Sequence, residues 1–362
     1  MKIVALPCDR NPYQELLYGP MRRLGATVAY AGEPTRSRTL NQLLLPAELV
    51  VRRLFGFRVL HIHWLFGFRL LGADRSRVLL RVSRAWFGFV LLVARACRYR
   101  IVWTVHNVLP HSPVFDDDAA ARRTLVGACD LLIAHSEHAL DELRALGAHP
   151  ARAIVIPPGV YDLPGFAALA ALPPRPPTTV LCFGQVAEYK GAEDLLAVLP
   201  AAGDSLRVVI AGGCSDIELR ARLEQRARGL GDRAELLLRF IDEAEVAPLF
   251  ERAHAAVLPF RAVTTSSSVI LAMASARPVI VPARPAFADI PDAAVIRYEP
   301  GVDGLGDALT RLRDAPSARL ADVGRAGREF ALSRTWEEVA GTTTAAFWTI
   351  LAVRQRTPII AR

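Results

Sequence analysis

Short apolar runs, each followed by an amphipathic stretch, recur through this chain in two successive series. The first runs KIVALPC, with YQELLYGPMRRLG as its helix, then ATVAYAG, RVLHIHW, RIVWTVHN, DLLIAHS and AIVIPPG, with SEHALDELRALG among the helices between. The second runs TTVLCFG, GAEDLLAVLPAAG, RVVIAGG, DIELRARLEQRARGLG, AELLLRFID, EVAPLFERA, AAVLPF, SSVILAMASA and PVIVPA. Strands alternating with helices in this way build doubly wound parallel sheets, so the fold class is α/β with two Rossmann-like domains. At 362 residues the chain also exceeds what one ordinary core accommodates. The series are separated by LPGFAALAALPPRPPT (Leu163–Thr178), proline-rich and without clear helix caps, which reads as a linker. The expected boundaries are a first domain over 1–163, a linker over 164–178 and a second domain over 179–338.

Two nucleotide-binding classes are excluded at once. The turn after the first strand, CDRNPYQ, has no glycine, so the dinucleotide fingerprint is missing, and no GxxxxGK[ST] phosphate loop occurs. Ligands of such a fold then collect at the carboxyl ends of the two sheets. The five cysteines are scattered with no CxxC pair, which points to a reducing compartment and away from structural zinc or a disulfide framework. KIVALPC is too short for the apolar region of a signal peptide, and the longest apolar run, Ala85–Ala94, falls below the ~20 residues that span a bilayer. The expected location is cytoplasmic.

The net charge of +8 belongs to the first half, and Leu49–Arg100 holds eleven arginines against one acid, Asp74. If 77–98 is a helix, Arg77, Arg81, Arg84, Arg95 and Arg98 fall within roughly a 100° arc, with Trp86, Phe87, Phe89, Val90, Leu92 and Val93 elsewhere on the wheel. A basic stripe beside aromatic and aliphatic bulk suits an anionic membrane surface. The alternative is a core helix with a solvated arginine face. RRLFGFRVLHIHWLFGFRLLG, just upstream, repeats the mixture. Nucleic acid is not an expected partner, because the aromatics are embedded in aliphatic runs and no RNA-binding or helix-turn-helix signature is present.

The second series carries the sharper signal. Of 44 basic side chains only Lys2 and Lys190 are lysine. Lys190 lies in FGQVAEYKGAEDLL, where a buried strand (Thr179–Phe183) meets a glycine, a short loop carries the lysine, and a second glycine precedes a helix. Such a lysine is a point charge placed for an anion. Further on, the hydroxyl-rich stretch Thr264–Ser268 begins another helix.

Five segments in order, IVIPPGV, FGQVAEYKG, FIDEAEVAPLFERAHAAVLPF, ILAMASARPVI and SRTWEEVAGTTTAAF, resemble GT-B glycosyltransferases of the family 4 group and their exopolysaccharide-assembly relatives, bacterial mannosyltransferases among them. The resemblance covers nearly the whole chain, most strongly Ile154–Trp336. It implies two Rossmann-like domains facing across a cleft: acceptor-binding over 1–163 and nucleotide-sugar-binding over 179–338. Residues 339–362 would form a last helix and tail crossing back to the first domain. It also implies a metal-independent hexosyltransferase that needs no cofactor beyond its donor, a nucleotide-diphosphate sugar, with GDP-mannose the donor suggested by the exopolysaccharide relatives. The implied acceptor is a lipid-linked or other glycan at the inner face of the cytoplasmic membrane, in polysaccharide or glycolipid assembly.

The resemblance also assigns roles. A departing nucleoside diphosphate gathers negative charge that cationic side chains, amides and helix N-termini must stabilise when no metal does. Lys190 with Gly191 would supply the charge, Gly184 the close backbone approach, and Thr265, Ser266, Ser267 and Ser268 the hydroxyls at the diphosphate. Gln185 stands where the family carries arginine, and its paired glutamates fall on Val263 and Leu271, which opens the alternative of a catalytically silent fold partner. A nucleotide-sugar epimerase of the same architecture is the other alternative. His106 in TVHNVLPH matches a histidine that contacts the donor sugar, and an imidazole there can also accept a hydroxyl proton. Acceptor-side candidates are Asn11, Tyr13, His63, His111 and Asp116, the last as a base from the run Asp116–Asp118. His61 and His63 share one strand face, but no third metal ligand is apparent.

Overall fold

The computed structural model of the protein describes residues 1–9, 11–73, 76–110, 113–168 and 171–353. Runs such as RIVWTV bury every side chain, which only a strand covered on both faces permits, and each becomes an interior strand of a parallel sheet. In the first series these are β1 (Lys2–Leu6), α1 (Pro12–Arg23), β2 (Thr27–Tyr30), α2 (Arg38–Leu54), β3 (Val59–Ile62), α3 (Arg77–Ala96), β4 (Arg100–Val105), α4 (Asp118–Ala128), β5 (Leu131–Ala134), α5 (Glu137–Ala145) and β6 (Ala153–Val155). The second series is β7 (Thr178–Phe183), α6 (Ala192–Val198), β8 (Leu206–Ala211), α7 (Ile217–Arg228), β9 (Ala234–Leu237), α8 (Glu243–Glu251), β10 (Ala255–Val257), α9 (Ser267–Ala274), β11 (Val279–Pro282), β12 (Ile296–Tyr298), α10 (Val302–Asp314) and α11 (Ser317–Leu332). A last helix, α12, spans Trp336–Ala352. Helix starts follow local chemistry. Ser37, Ser76, Asp117, Ser136 and Asp216 each accept a backbone N–H of the first turn, and Asp242 with Glu245 forms a reciprocal capping box.

Both sheets are parallel throughout, but they differ in strand order. The first runs β2-β1-β3-β4-β5-β6 and the second β12-β11-β10-β7-β8-β9. The order reverses between β1 and β3 in one and between β7 and β10 in the other. Such switch points open crevices at the carboxyl ends of the strands, where ligands bind.

The chain divides into two compact units, Met1–Pro158 with the chain from Trp336 onward, and Gly159–Thr335. The segment read as a linker, 164–178, is instead built into the second unit. Phe166 is 1% exposed with its ring 5.4 Å from Phe250, and Arg175 donates to the carbonyls of Leu312, Arg313 and Ala315. Its prolines mark a lack of regular structure, not a lack of packing. The last helix belongs to the first unit and packs on α1, with Tyr13 and Trp336 edge to face at 5.1 Å and Arg23 bonded to Glu337 at 3.0 Å. It begins at Trp336 rather than 339.

The expected 77–98 helix ends at Ala96. Arg98 follows with φ +59°, so it leaves the helical wheel. The other arginines are partly spoken for: Arg84 makes a two-pronged pair with Asp116 at 2.7 and 3.0 Å, Arg81 approaches the same carboxylate at 3.7 Å, and Arg95 pairs with Asp130 at 3.0 Å. Helices α2, α4, α10 and α11 and strand β12 went unread in the sequence, the last being only three residues long.

Candidate functional site

In the second unit the loop leaving β7 turns on Gly184 (φ +112°), and a short 3-10 turn, Glu188–Lys190, ends at Gly191 (φ +70°). A side chain on Gly191 would run into the Pro259 carbonyl oxygen, 2.1 Å from an ideal Cβ, so backbone from β7 and β10 meets here and admits only glycine. This packing carries the Lys190 ammonium inward. It donates to Ser268 Oγ at 3.3 Å and lies 5.7 Å from the Phe260 ring centre. A Cβ on Gly184 would fall 3.0 Å from Ser268 Oγ and 3.1 Å from Lys190 Nζ, so the missing side chain leaves backbone close to both polar groups.

The neighbouring acids are committed elsewhere. Arg261 holds Asp194 at 2.7 and 2.8 Å and Glu188 at 3.1 Å, while Arg222 pairs with Glu188 and Glu193. Among the described residues no carboxylate lies within ion-pair distance of Lys190. Burial accordingly lowers its pKa, with only the Cys182 thiol acting in the opposite sense. A cation in this state is stabilised by an incoming anion.

Ser266 caps α9 by position but without a side-chain hydrogen bond, Ser267 is exposed, and Thr265 is half-buried. The two positions that carry glutamate in the family, Val263 and Leu271, are half-buried and pack against the apolar core. Gln185 is exposed beside a cavity of about 600 Å³ at the carboxyl ends of β7, β8 and β9. Gly212 and Gly213, Arg239 and Phe240 also line it. A Cβ on Gly212 would sit 2.0 Å from the Gly184 carbonyl oxygen, and Phe240 is 78% exposed. These four residues were missed in the sequence, although the glycine pair at the end of RVVIAGG was a usable signal.

The first unit gathers four histidines. His63 and His106 follow β3 and β4, His61 lies within β3, and His135 follows β5. Three of them form a continuous hydrogen-bonded array: Thr104 Oγ1 to His61 Nε2 (2.8 Å), His61 Nδ1 to Tyr18 Oη (2.8 Å), Tyr18 Oη to His63 Nε2 (2.7 Å), and His63 Nδ1 to His106 Nε2 (3.1 Å), while His135 Nδ1 donates to the Ile156 carbonyl at 2.8 Å. Tyr18 has one hydroxyl hydrogen, so it donates to one imidazole and accepts from the other. Donation therefore runs one way along the whole array. When it runs from His106 toward Thr104, the His106 proton is on Nε2 and its lone pair on Nδ1. The ring nitrogens of His61 and His63 are thus engaged by protein partners, which removes the pair as a metal site.

Burial pushes all four imidazoles down, His61 to about 3, His135 to about 4, and His63 and His106 well below the ordinary value, with mutual repulsion adding to the last two. They are neutral at neutral pH. Tyr13 centres the group, its ring 4.6 Å from His106 and 5.4 Å from His135, and Trp64 stacks on His106 at 4.4 Å.

The remaining candidates have other duties. Asn11 caps α1 through its side chain. Asp116 pairs with Arg84, which lowers its carboxyl pKa and so weakens it as a base, and Asp117 caps α4. His111 lies outside the described residues. Tyr18 and Thr104 escaped notice because the pairing that gives them a role joins separate elements.

The profile described as Glycosyltransferase Family 4 matches residues 3–162, and that described as Glycosyl transferases group 1 matches 177–315. A GDP-mannose:glycolipid 4-beta-D-mannosyltransferase of Xanthomonas campestris pv. campestris is 28% identical over 322 residues, 82% of this chain and 87% of that protein. Among solved structures, sucrose-phosphate synthase of Thermosynechococcus elongatus superposes with a TM-score of 0.73 at 19% identity, covering 97% of this chain and 99% of that one. Anabaena HepE in complex with UDP gives 0.71 at 16% identity, covering 96% and 100%. With two parallel six-stranded sheets and profiles matching both units, the chain belongs to the family 4-like glycosyltransferases of GT-B fold.

Proposed function

We propose that the protein transfers mannose from GDP-mannose to a lipid-linked glycan at the cytoplasmic face of a membrane, in polysaccharide or glycolipid assembly. The observation that carries the donor half is Lys190: a half-buried ammonium without a carboxylate partner among the described residues, beside backbone bared by Gly184 and the Ser268 hydroxyl. The diphosphate is the anion that satisfies it. The cavity beside Gly184 then receives the nucleoside, with the exposed Phe240 ring available to the base. Mannose and the glycolipid acceptor are taken from the name of the Xanthomonas relative.

That relative forms a β linkage, and an α-linked nucleotide sugar giving a β product reacts with inversion. Inversion needs one base at the acceptor oxygen. The proposed base is His106, kept neutral by burial: it takes the hydroxyl proton as the new C–O bond forms, the bond from C1 to the diphosphate oxygen breaks and the nucleoside diphosphate departs. The apolar residues at 263 and 271 fit a reaction in which those carboxylates play no part. Incubating the protein with GDP-mannose, UDP-glucose and a bacterial lipid extract, and reading the product anomer by NMR, tests this. A β-mannoside supports the reading; transfer from UDP-glucose alone, or an α product, overturns its donor or its stereochemistry.

Tyr18→Phe separates positioning from packing. The phenyl ring keeps the volume but leaves two buried imidazole nitrogens unpaired, at about 1–3 kcal/mol each. The array no longer couples the His106 tautomer to His61 and Thr104, so kcat is expected to fall about tenfold, a part of what a general base contributes, with the donor KM unchanged. Imidazole ¹⁵N shifts report the tautomer directly. An unchanged His106 spectrum and unchanged kcat would remove the array from the mechanism.

Among the described residues no helix is long and apolar enough to cross a membrane. The membrane contact is proposed instead for the packed pair α2 and α3. They expose Leu43, Leu54, Val78 and Leu92 together with Arg77, and α3 carries no acidic residue. Because Arg84 and Arg95 are engaged by Asp116 and Asp130, the apolar side chains supply most of the attraction. Changing Leu54, Phe55 and Leu92 together to Ser is expected to lower binding to anionic vesicles by tenfold or more, on about 1.5–3 kcal/mol for each apolar side chain fully buried and less when partly inserted. Equal flotation of variant and parent excludes this face.

A further inference from the structure

Lys190 has acids on either side of it in the chain. Glu188 precedes it by two residues, and Glu193 and Asp194 follow it by three and four. Arginines from elsewhere in the second unit take these acids up. The Arg261 guanidinium lies fork to fork on Asp194 at 2.7 and 2.8 Å and meets Glu188 with its third nitrogen at 3.1 Å. Arg222, on α7, pairs with Glu188 and with Glu193 at 3.0 Å, and Arg226 approaches Glu193 at 3.7 Å. Among the described residues, three guanidiniums thus balance three carboxylates and leave Lys190 as the uncompensated charge.

Arg261 grips the loop in two ways. It follows β10, and its backbone N–H donates to the Tyr189 carbonyl at 2.8 Å, while its side chain holds an acid on each side of Lys190. Stability is not the main product of these pairs. The Arg261 and Glu188 side chains are 43% and 52% exposed, and pairs so open to water contribute little to folding. What they fix is where the carboxylates point. A planar guanidinium presents several donors in one fork and so bridges two carboxylates, which a compact ammonium matches poorly. Glu188 would keep Arg222 if Arg261 were lost, whereas Asp194 would lose the two-pronged bond. A carboxylate released so near in the chain to an ammonium becomes a competing counter-ion for it.

We propose that Arg261 is a positioning residue: by holding Asp194, and Glu188 together with Arg222, it keeps these carboxylates from Lys190 and the ammonium open to the diphosphate. The assignment rests on the donor reading of Lys190 above.

The sequence makes the test clean. The chain has only two lysines, Lys2 and Lys190, so ¹³C-labelled lysine gives two side-chain signals, which Lys190→Ala assigns. The full-length parent, Arg261→Gln and the double variant Arg261→Gln/Asp194→Asn are titrated with pH by NMR. Binding of GDP-mannose and UDP-glucose is measured by calorimetry on the same samples. In Arg261→Gln the Lys190 signal is expected to titrate at higher pH than in the parent, and donor binding to weaken about tenfold, a coupling of ordinary size between neighbouring charged groups. Removing the Asp194 charge as well should return the signal toward the parent and recover most of the affinity. An unmoved Lys190 signal in Arg261→Gln overturns the proposal, and so does unchanged donor affinity. A double variant that binds as weakly as the single one also overturns it, since the guanidinium would then act on the donor or the fold directly. Should Arg261→Gln not fold, Arg261→Lys takes its place, because it keeps a charge but not the fork. A shifted signal and weaker binding are again expected, and parental values for both overturn the proposal. The lysine signal needs no donor, so the two readings fail separately. A signal that shifts and recovers in a protein that binds no nucleotide sugar leaves the Arg261 role standing and sinks the donor reading. Donor binding with an unmoved signal sinks the Arg261 role alone.

Discussion

Lys190→Ala is expected to lower turnover at least ~100-fold, the scale of removing one preorganised charge donor from a developing anion. The reason is local. The arginines around the loop are neutralised by Glu188, Glu193 and Asp194, so no nearby cation replaces the lost one without giving up a partner. The variant should fold, since burial penalises the ammonium and its removal relieves that penalty. Lys190→Arg should not restore activity, because a planar guanidinium is larger than the ammonium that now sits 3.3 Å from Ser268 Oγ and places its donors differently. Steady-state kinetics on variants with parental circular dichroism check both statements. Turnover within a few-fold of the parent for Lys190→Ala would remove the lysine from the chemistry.

Mild acid should destabilise the first unit. His61, His63, His106 and His135 have folded-state pKa values below the ordinary one, so below about pH 6.5 the unfolded chain binds protons that the folded chain refuses. Stability is therefore present above pH 6.5 and is lost as the pH falls from there toward the folded values, about 4 for His135 and about 3 for His61. Each group contributes at most about 1.4 kcal/mol per pH unit, so four reach an upper bound of about 8 kcal/mol at pH 5. That is comparable with the whole stability of a typical domain, about 5–15 kcal/mol. Carboxylates held by arginine, such as Glu245 at about 2, act in a lower window and do not mask the effect. Thermal melts between pH 7.5 and 4.5 should show a steep fall beginning near pH 6.5, shallower in His135→Asn. A melting temperature flat from pH 7.5 to 5 would contradict the buried neutral cluster.

The strand–helix alternation made the α/β architecture legible, because a strand covered on both faces must be apolar along its length, as RIVWTV and VLHI are apart from their polar members. Strand order was not legible: β1 lies between β2 and β3 through contacts that no local period records. Lys190 and Gly184 stood out because glycine and a rare lysine are constrained by backbone conformation and charge, both of which act locally. Tyr18 and Thr104 did not, since their meaning depends on two strands and a helix meeting. The arginine stripe misled in part. A wheel sees one helix, whereas Asp116 and Asp130 reach Arg84 and Arg95 from later in the chain. Composition misled once more in 164–178, where prolines interrupted regular structure while Phe166 and Arg175 anchored the segment to the second unit.

Calorimetric titration of GDP-mannose and UDP-glucose into the parent and into Lys190→Ala tests the central claim most directly, that the unpaired Lys190 ammonium receives the diphosphate of a nucleotide sugar. Binding of at least one of them to the parent, weakened tenfold or more in the folded variant, is the predicted result, tenfold corresponding to about 1.4 kcal/mol. Equal affinity in the two proteins, or binding to neither while both remain folded, would contradict it.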